Sequence, residues 1–250
     1  MWGELPPFQE VNHEIHLLDE NKRYTYHTPR CPLALRDELH AKINRYVDSG
    51  WWEPKSVPQA APLLCVQKKD AKLRTVVNAR QRNDNTVKDI TLLPDQEVIW
   101  EDVTHATYRS KIDLIDAYDQ VQVVARNVWK NTFATITGTY LSHVMWQGDC
   151  NAPATFQRLM TSIFRDVLGQ FMHVYLDNIF VYSDSIEEHE EHLKVVFKHL
   201  REQKLYLKWQ KCNLYVEKVD CLGHIIDGHG ILYLSRTRNS KCPVDTHRLS

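Results

Sequence analysis

The segment Phe171–Ser183, which reads FMHVYLDNIFVYS, constrains the fold of this chain most strongly. Two short runs rich in Val, Ile, Phe and Tyr flank the polar pair Asp177 and Asn178. Such runs favour β-strands, and an Asp-Asn pair between them predicts a hairpin turn because both residues tolerate unusual backbone angles. The pattern therefore places the Asp177 carboxylate at the tip of a stiff β-ribbon. A surface hairpin with a polar turn and no chemical role is the alternative interpretation.

A second acidic strand end lies upstream, at Asp113 in the sequence SKIDLIDAY. We predict a strand that ends at Asp113, followed by a tight turn and another extended piece. If adjacent strands bring Asp113 and Asp177 together, the two carboxylates suit Mg²⁺, which is usually held by one or two carboxylates plus substrate phosphates. Two such ions roughly 4 Å apart can activate an attacking hydroxyl and stabilise the leaving oxygen in phosphoryl transfer.

Composition is that of an ordinary globular protein, with 43% hydrophobic and 25% charged residues among 250. No apolar run approaches the ~20 residues needed to span a bilayer, and the first ten residues do not resemble a signal peptide. The six cysteines show no CxxC spacing, so we expect reduced thiols in an intracellular protein, cytoplasmic or nuclear and not secreted. A formal net charge of −1 gives no overall attraction to nucleic acid, so such binding would need a local patch.

Residues 62–78 supply that local patch. Their sequence, PLLCVQKKDAKLRTVVN, predicts two strands joined by a polar turn near Asp70 and Ala71. The hairpin carries several cations, namely Lys68, Lys69, Lys72 and Arg74. These are either solvated surface charges or an arm that clamps a triphosphate or a phosphate backbone.

Helical periodicity predicts three helices. The first begins near Leu35 and ends at Gly50, the second covers residues 154–168, and the third covers 186–203 with a capping box at its start. A strand is predicted near residues 132–136. In the third helix, the histidines are expected on the polar, solvated side, namely His189, His192 and His199.

Several motifs occur in the order found in one known family. They are SKIDLIDAY, WQGDCNAPATFQRLM, YLDNIFVYSDS, KLYLKWQKC and CLGHIIDGHGI, preceded by LPPFQEVNHEIHLL and VQKKDAKLRTVVNARQRN. Together they resemble the reverse transcriptase of gypsy-type LTR retrotransposons, over roughly residues 5–231. The resemblance implies an RNA-directed DNA polymerase within a Pol polyprotein, and we expect a fungal element as its source.

The resemblance also implies a catalytic centre. Asp113 and Asp177 would bind two Mg²⁺ ions, for which Mn²⁺ is a possible substitute, and the Leu114 carbonyl would assist one of them. Asp177 and Asn178 occupy the acidic positions of the family's Tyr-x-Asp-Asp hairpin, so Asn178 is the third catalytic position.

Further positions match residues that hold the substrates. Those expected to contact the incoming deoxynucleoside triphosphate are Lys68, Arg74, Asp116, Ala117, Tyr118 and Gln147. Tyr118 would close off the sugar's 2′ position and so exclude ribonucleotides. Leu222 and Gly223 would grip the primer, which is paired with an RNA or DNA template, and Lys211 is a weaker match to a lysine that protonates the leaving pyrophosphate. No membrane partner is implied.

The fold implied is α/β (α+β): a right-hand polymerase palm, with a mixed, mainly antiparallel sheet backed by helices, plus fingers. Residues 1–30 would be an extended lead-in, 31–104 and 119–147 the fingers, 105–118 and 148–230 the palm, and 231–250 a disordered tail. The thumb, the connection and the RNase H domain are expected to be absent from this chain.

Two departures from the family pattern together favour a weak or inactive enzyme: Asn178 replaces a carboxylate with a neutral amide, and the thumb is expected to be missing. Two further departures are Asp149, which stands where an apolar residue is expected, and Asn78, which replaces an Asp. Asp149 would add negative charge near a site for anionic substrates. Three interpretations follow: a polymerase domain of low activity, a catalytically dead relic, or a non-enzymatic module that binds nucleic acid.

Overall fold

The structure is a computed structural model that describes residues 3–67 and 71–233. The five α-helices of these residues are α1 (Arg36–Asp48), α2 (Arg80–Asp84), α3 (Gln96–His105), α4 (Ala152–Ile163) and α5 (Ile186–Glu202). The strands are β1 (Trp52–Pro54), β2 (Ala61–Gln67), β3 (Leu73–Val77), β4 (Tyr108–Asp113), β5 (Thr132–Thr135), β6 (Gly138–Ser142), β7 (Met172–Tyr175), β8 (Asn178–Ser183), β9 (Asn213–Val216), β10 (Val219–Cys221), β11 (His224–Asp227) and β12 (Gly230–Tyr233). No helix among the described residues is long and apolar enough to cross a membrane.

The chain divides into two compact units. The first unit comprises residues 1–91 and 116–159, and the second comprises 92–115 and 160–250. The boundaries between these units differ from the boundaries predicted between fingers and palm. One difference concerns α3, which was predicted to belong to the fingers. Ile99 and Val103 of α3 are buried in a cluster with Phe180 and Val219, so the helix belongs to the second unit. The assignment of these units to fingers and palm stays a prediction.

The first unit is built on a five-stranded sheet with the order β1-β6-β5-β2-β3. Its pairs are antiparallel except β2 with β5, which is parallel, so the predicted mixed, mainly antiparallel sheet is confirmed here. α1 forms as predicted because its apolar stripe buries Leu39, Ile43 and Tyr46, and Gly50 ends it with a φ of +74°. Aromatic rings dominate this core, where Trp52 and Phe133 have ring centroids 4.6 Å apart.

The second unit contains a four-stranded sheet, β7-β8-β4-β9, in which every pairing is antiparallel. α5 packs against β8 and β4. It begins as predicted, because the Ser185 hydroxyl accepts a hydrogen bond from the Glu188 N–H, and its inner face buries Leu193, Val196 and Leu200. A separate three-stranded sheet, β10-β11-β12, completes the unit.

Two predicted boundaries differ from the structure. The second predicted helix ends at Ile163 rather than at residue 168. Residues 231–233 of the predicted disordered tail lie in β12, where Ile231 pairs with Ile226 in register, while residues 234–250 lie outside the described residues. The turn and the extended piece expected after Asp113 are both present: a 3-10 turn covers Ala117–Gln120, and Gln122 and Val123 beyond it form β-bridges.

Candidate active site

The ends of β4 and β8 place two acidic residues beside each other in the second unit. Asp113, the last residue of β4, is paired in register with Asn178, the first residue of β8. Beyond that pair, the Leu114 N–H donates to the Asp177 carbonyl at 3.4 Å. Directly opposed residues of antiparallel strands have Cα atoms about 4.5–5.5 Å apart. The backbones that carry Asp113, Asp177 and Asn178 therefore meet at one point of the sheet.

The turn between β7 and β8 lies one residue earlier than the sequence predicted. Tyr175 and Asn178 are a register pair, so the two residues at the tip are Leu176 and Asp177. Leu176 has a φ of +54°, a left-handed conformation that disfavours a branched side chain. Strain of this kind costs on the order of 1–3 kcal/mol and is concentrated at functional sites.

Asp113 is nearly buried, with 8% of its surface exposed. Its carbonyl accepts a hydrogen bond from the Lys208 N–H at 2.8 Å, which fixes the end of β4. The Lys211 ammonium lies 3.4 Å from the Asp113 carboxylate oxygen Oδ2. The Lys211 side chain is 57% exposed and that of Asp113 only 11%, so water screens the ammonium end of this ion pair more than the carboxylate end.

The Asn178 side chain forms a hydrogen bond with its acidic neighbour, Asp177. Its Nδ2 donates to the Asp177 carboxylate oxygen Oδ1 at 3.2 Å. A carboxylate at position 178 would place a second negative charge against Asp177. The amide therefore lowers the charge density at the tip of the hairpin.

The oxygen donors at this point suit a hard divalent cation. They are the carboxylates of Asp113 and Asp177, with the Leu114 carbonyl adjacent in the chain. The part of the chain that the structure describes holds no cluster of three His, Cys, Asp or Glu side chains able to bind a metal ion. Two carboxylates leave coordination positions for substrate phosphates, which is the usual arrangement for Mg²⁺.

The first unit carries the residues expected to contact a nucleotide. Asp116 has a φ of +40° and precedes the 3-10 turn that contains Ala117 and Tyr118. The half-buried Tyr118 ring lies 5.8 Å from the Phe156 ring at 71°, an edge-to-face contact that fixes its orientation. The next residue, Asp119, accepts a hydrogen bond from the Tyr46 hydroxyl at 2.9 Å, and burial raises the pKa of Asp119 to about 6.

The basic hairpin forms as predicted in the described residues, with β2 and β3 antiparallel. Arg74 is exposed on β3 and paired in register with Val66. Lys68 and Lys69 lie outside the described residues. Gln147, the remaining predicted nucleotide contact, is exposed in the loop before α4.

Asp149 corrects the expectation of extra negative charge near the substrates. It is 4% exposed, and its Oδ2 lies 2.6 Å from the Arg82 guanidinium and 2.9 Å from His13 Nε2. Burial alone would raise the pKa of Asp149, but Arg82 and His13 hold it well below its usual range. The charge is balanced inside the protein, because residues distant in sequence supply the partners.

The same network anchors the loop that presents Gln147. Asn83, next to Arg82 in α2, donates through Nδ2 to the Gly148 carbonyl at 2.8 Å and accepts from the Cys150 N–H at 3.2 Å. Two neighbouring residues of α2 therefore hold three successive loop residues. No local sequence signal identifies Arg82 or Asn83 for this role, since the contacts join segments more than 60 positions apart.

His189 is not solvated, contrary to the sequence expectation. It is fully buried, and its ring nitrogens lie 2.7 Å from Ser110 Oγ and 2.8 Å from Ser183 Oγ. Burial lowers the pKa of His189 to about 4, and the nearby His192 acts in the same direction. His192 is half-buried with its ring stacked on Phe171 at 3.8 Å, and His199 is half-buried against Phe164, so neither lies on a wholly solvated face.

The predicted primer contacts lie at the turn between β10 and β11, in the second unit. Leu222 and Gly223 have φ values of +52° and +87°, and the Gly223 N–H donates to Asp220 Oδ1 at 3.3 Å. Leu222 also packs on the cluster that contains Val219 and Cys221. The turn is thus fixed on one side by its own core.

Comparison with known proteins indicates the same kind of protein as the sequence motifs do. A family model described as reverse transcriptase (RNA-dependent DNA polymerase) matches residues 66–226. The Pol polyprotein of transposon 297 of Drosophila melanogaster is 31% identical over 223 residues, which is 86% of this chain and 21% of that protein. The transposon Tf2-7 polyprotein of Schizosaccharomyces pombe is 29% identical over 224 residues, covering 90% of this chain and 17% of that protein. This chain spans about a fifth of the length of the curated relatives it matches.

Solved structures show the same fold. The foamy viral protease-reverse transcriptase in complex with dsDNA superposes with a TM-score of 0.79 at 21% identity, over 94% of this chain and 51% of that one. A second foamy viral structure, bound to an RNA/DNA hybrid, gives a TM-score of 0.77 at 20% identity and covers 92% of this chain and 30% of that one. The palm-and-fingers type of fold expected from the motifs is therefore confirmed, while the gypsy type and the fungal source stay predictions. With a family model matched over more than half of its length, this chain belongs to the reverse transcriptase (RNA-dependent DNA polymerase) family.

Proposed function

We propose that this chain carries the polymerase centre of a retrotransposon Pol polyprotein and adds deoxynucleotides to a primer on an RNA or DNA template. The observation that carries the proposal is the pairing of β4 with β8, which sets Asp113 beside Asp177 and Asn178. The Asp113 carboxylate comes from the end of a strand, and Asp177 lies in the two-residue turn directly before β8, so the backbone ladder of β4 and β8 positions both residues.

Divalent cations are general in this family, and the donors present fit Mg²⁺ or Mn²⁺. Asp113 and Asp177 would hold the ions with help from the Leu114 carbonyl. When bound, such ions supply charge stabilisation for the attacking and leaving oxygens in phosphoryl transfer.

The chain's own residues would perform the remaining tasks. Lys211, which pairs with Asp113, would give a proton or a positive charge to a leaving pyrophosphate. Arg74 and Lys68 would neutralise the triphosphate, and the backbone of Asp116 and Ala117 would donate to it. These roles rest on the family pattern together with the positions described above.

The nucleotide sugar and the primer would be held by further residues. Tyr118, fixed by Phe156, would leave no room for a 2′-hydroxyl, and Gln147 would lie over the sugar. Leu222 and Gly223 would contact the primer end. Their turn can hold a fixed position there, because Leu222 packs on the buried cluster that contains Val219 and Cys221.

We further propose that the activity is low because of Asn178. An amide oxygen is a weaker ligand for Mg²⁺ than a carboxylate, and the Asn178 amide also occupies Asp177 Oδ1. A dead relic and a non-catalytic nucleic-acid-binding module are the alternatives, and the contact between Asn178 and Asp177 is compatible with either of them.

Primer extension on an RNA template with Mg²⁺ tests the proposal. We expect slow, Mg²⁺-dependent synthesis that Asp113→Asn abolishes, because that substitution removes a charge with little change in shape. Lys198→Ala, on the exposed face of α5, is the control, and it should extend the primer at the parent's rate. Synthesis that survives in Asp113→Asn, or no synthesis by either the parent or Asn178→Asp, would refute the polymerase proposal.

A further inference from the structure

The first unit contains a cavity of about 530 Å³ that the polymerase site does not use. Its walls come from residues 17–26, residues 55–59, the turn at Trp129 and Lys130, and Trp146. This volume is within the range of about 300–1,000 Å³ that is typical of small-molecule sites. Among residues 3–67 and 71–233, none of those proposed above to hold metal, triphosphate or primer lines it.

Aromatic side chains form much of the cavity wall. Tyr24, Tyr26, Trp129 and Trp146 all line it, and the Tyr24 and Tyr26 rings are 6.0 Å apart. Trp129 is 54% exposed, although large apolar side chains are usually covered in a folded unit. Flat aromatic faces of this kind bind planar ligands by stacking.

The wall is also cationic. Lys22 and Arg23 line the cavity, are exposed, and have no ion-pair partner among residues 3–67 and 71–233. By contrast, Lys130 in the same wall is paired with Glu20 at 2.7 Å. Two exposed cations without ion-pair partners in the wall of an aromatic cavity favour an anionic ligand.

We propose that this cavity binds one nucleotide, either a free mononucleotide or a unit of a single-stranded nucleic acid. The base would stack on the aromatic wall that includes Trp129, and its phosphate would pair with Lys22 and Arg23. An apolar ligand would leave the two cations unused, and a bare anion would leave the aromatic faces unused.

Binding measured in EDTA tests this proposal separately from catalysis, because the polymerase site would then lack its metals. The probes are dAMP, inorganic phosphate and a fluorescein-labelled single-stranded oligonucleotide, followed by calorimetry or anisotropy. We expect dAMP or the oligonucleotide to bind, with affinity at least tenfold lower in Trp129→Ala and in the double variant Lys22→Ala/Arg23→Ala.

Trp209→Ala is the matched control, since Trp209 is an exposed tryptophan of the second unit and does not line the cavity. It should bind as the parent does. Binding of the oligonucleotide but not of dAMP would identify the ligand as a unit of a strand. Equal affinity in the parent and Trp129→Ala, phosphate binding as tight as dAMP binding, or no binding of any probe would overturn the proposal.

Discussion

Asp113 stands opposite Asn178 in the register of β4 and β8, and the Asn178 amide donates to Asp177. One neutral side chain therefore contacts the carboxylate of Asp177 and belongs to the residue that is paired in register with Asp113. An Asp at this position would add a third carboxylate to the same group.

Asn178→Asp should raise the rate of primer extension. A third carboxylate would strengthen the metal site, and a gain of about 3 kcal/mol in transition-state stabilisation corresponds to roughly 10²-fold in rate. Single-turnover extension with Mg²⁺ measures the change directly.

The melting temperature of Asn178→Asp, measured with and without Mg²⁺, provides an independent check on the metal site. Without metal, the new carboxylate would face Asp177, so the melting temperature in EDTA should fall below that of the parent. Added Mg²⁺ should recover it through binding to the folded state. A variant with the parent's rate and no Mg²⁺-dependent recovery would show that position 178 does not contact the metal.

Tyr118→Ala should weaken the discrimination against ribonucleotides. The Tyr118 ring is held edge-to-face by Phe156, and its removal would open space beside the sugar. The ratio of kcat/KM for the deoxynucleotide to kcat/KM for the ribonucleotide should fall by at least about tenfold. Tyr118→Phe keeps the ring and should keep the parent's ratio. If both variants discriminate as the parent does, the ring does not contact the sugar.

Asp149→Leu should destabilise the first unit strongly. It leaves the Arg82 guanidinium buried without its carboxylate, and breaking one side of a buried ion pair costs about 3–5 kcal/mol. Arg82→Leu/Asp149→Leu should recover most of this loss, because apolar side chains of similar volume replace a buried pair well. Urea unfolding measures both free energies. A double variant as unstable as the sum of the two single variants would contradict this account.

His189 should make the second unit less stable in mild acid. Its pKa in the folded state is about 4, below the ordinary value of 6.5, because burial disfavours the charged ring. The unfolded chain therefore binds the proton first, so the contribution of His189 to the free energy of unfolding is constant above pH 6.5, decreases as the pH falls towards 4, and is constant below it. A shift of this size corresponds to up to about 3 kcal/mol.

Unfolding at pH 7 and pH 5 checks this prediction. His189→Gln should flatten the dependence, since glutamine can hydrogen-bond to Ser110 and Ser183 without titrating. His199→Gln, on the same helix, should keep the parent's dependence. Equal slopes in His189→Gln and the parent would locate the titrating group elsewhere.

Local patterns in the sequence predicted the elements that build the site. Runs rich in Val, Ile, Phe and Tyr identified the hairpin that contains β8, the sequence ending at Asp113 identified β4, and the capping box at Ser185 identified the start of α5. The position of the turn was missed by one residue because strand pairing, which draws Asn178 into register with Asp113, outweighs the turn preference of the Asp-Asn pair.

Contacts between distant segments could not be predicted in this way. Asp149 looked like an exposed charge because its partners, Arg82 and His13, lie far away in the chain. His189 looked solvated because its neighbours in sequence are acidic, while its hydrogen-bond partners Ser110 and Ser183 come from β4 and β8. In both cases, burial was determined by tertiary packing rather than by helical periodicity.

Titration of the protein with Mn²⁺, followed by the electron paramagnetic resonance signal of the free ion, tests most directly whether Asp113 and Asp177 form one metal site. We predict weak binding by the parent, tighter binding by Asn178→Asp, and loss of binding in both Asp113→Asn and Asp177→Asn. Binding that persists unchanged when either carboxylate is removed would contradict the account.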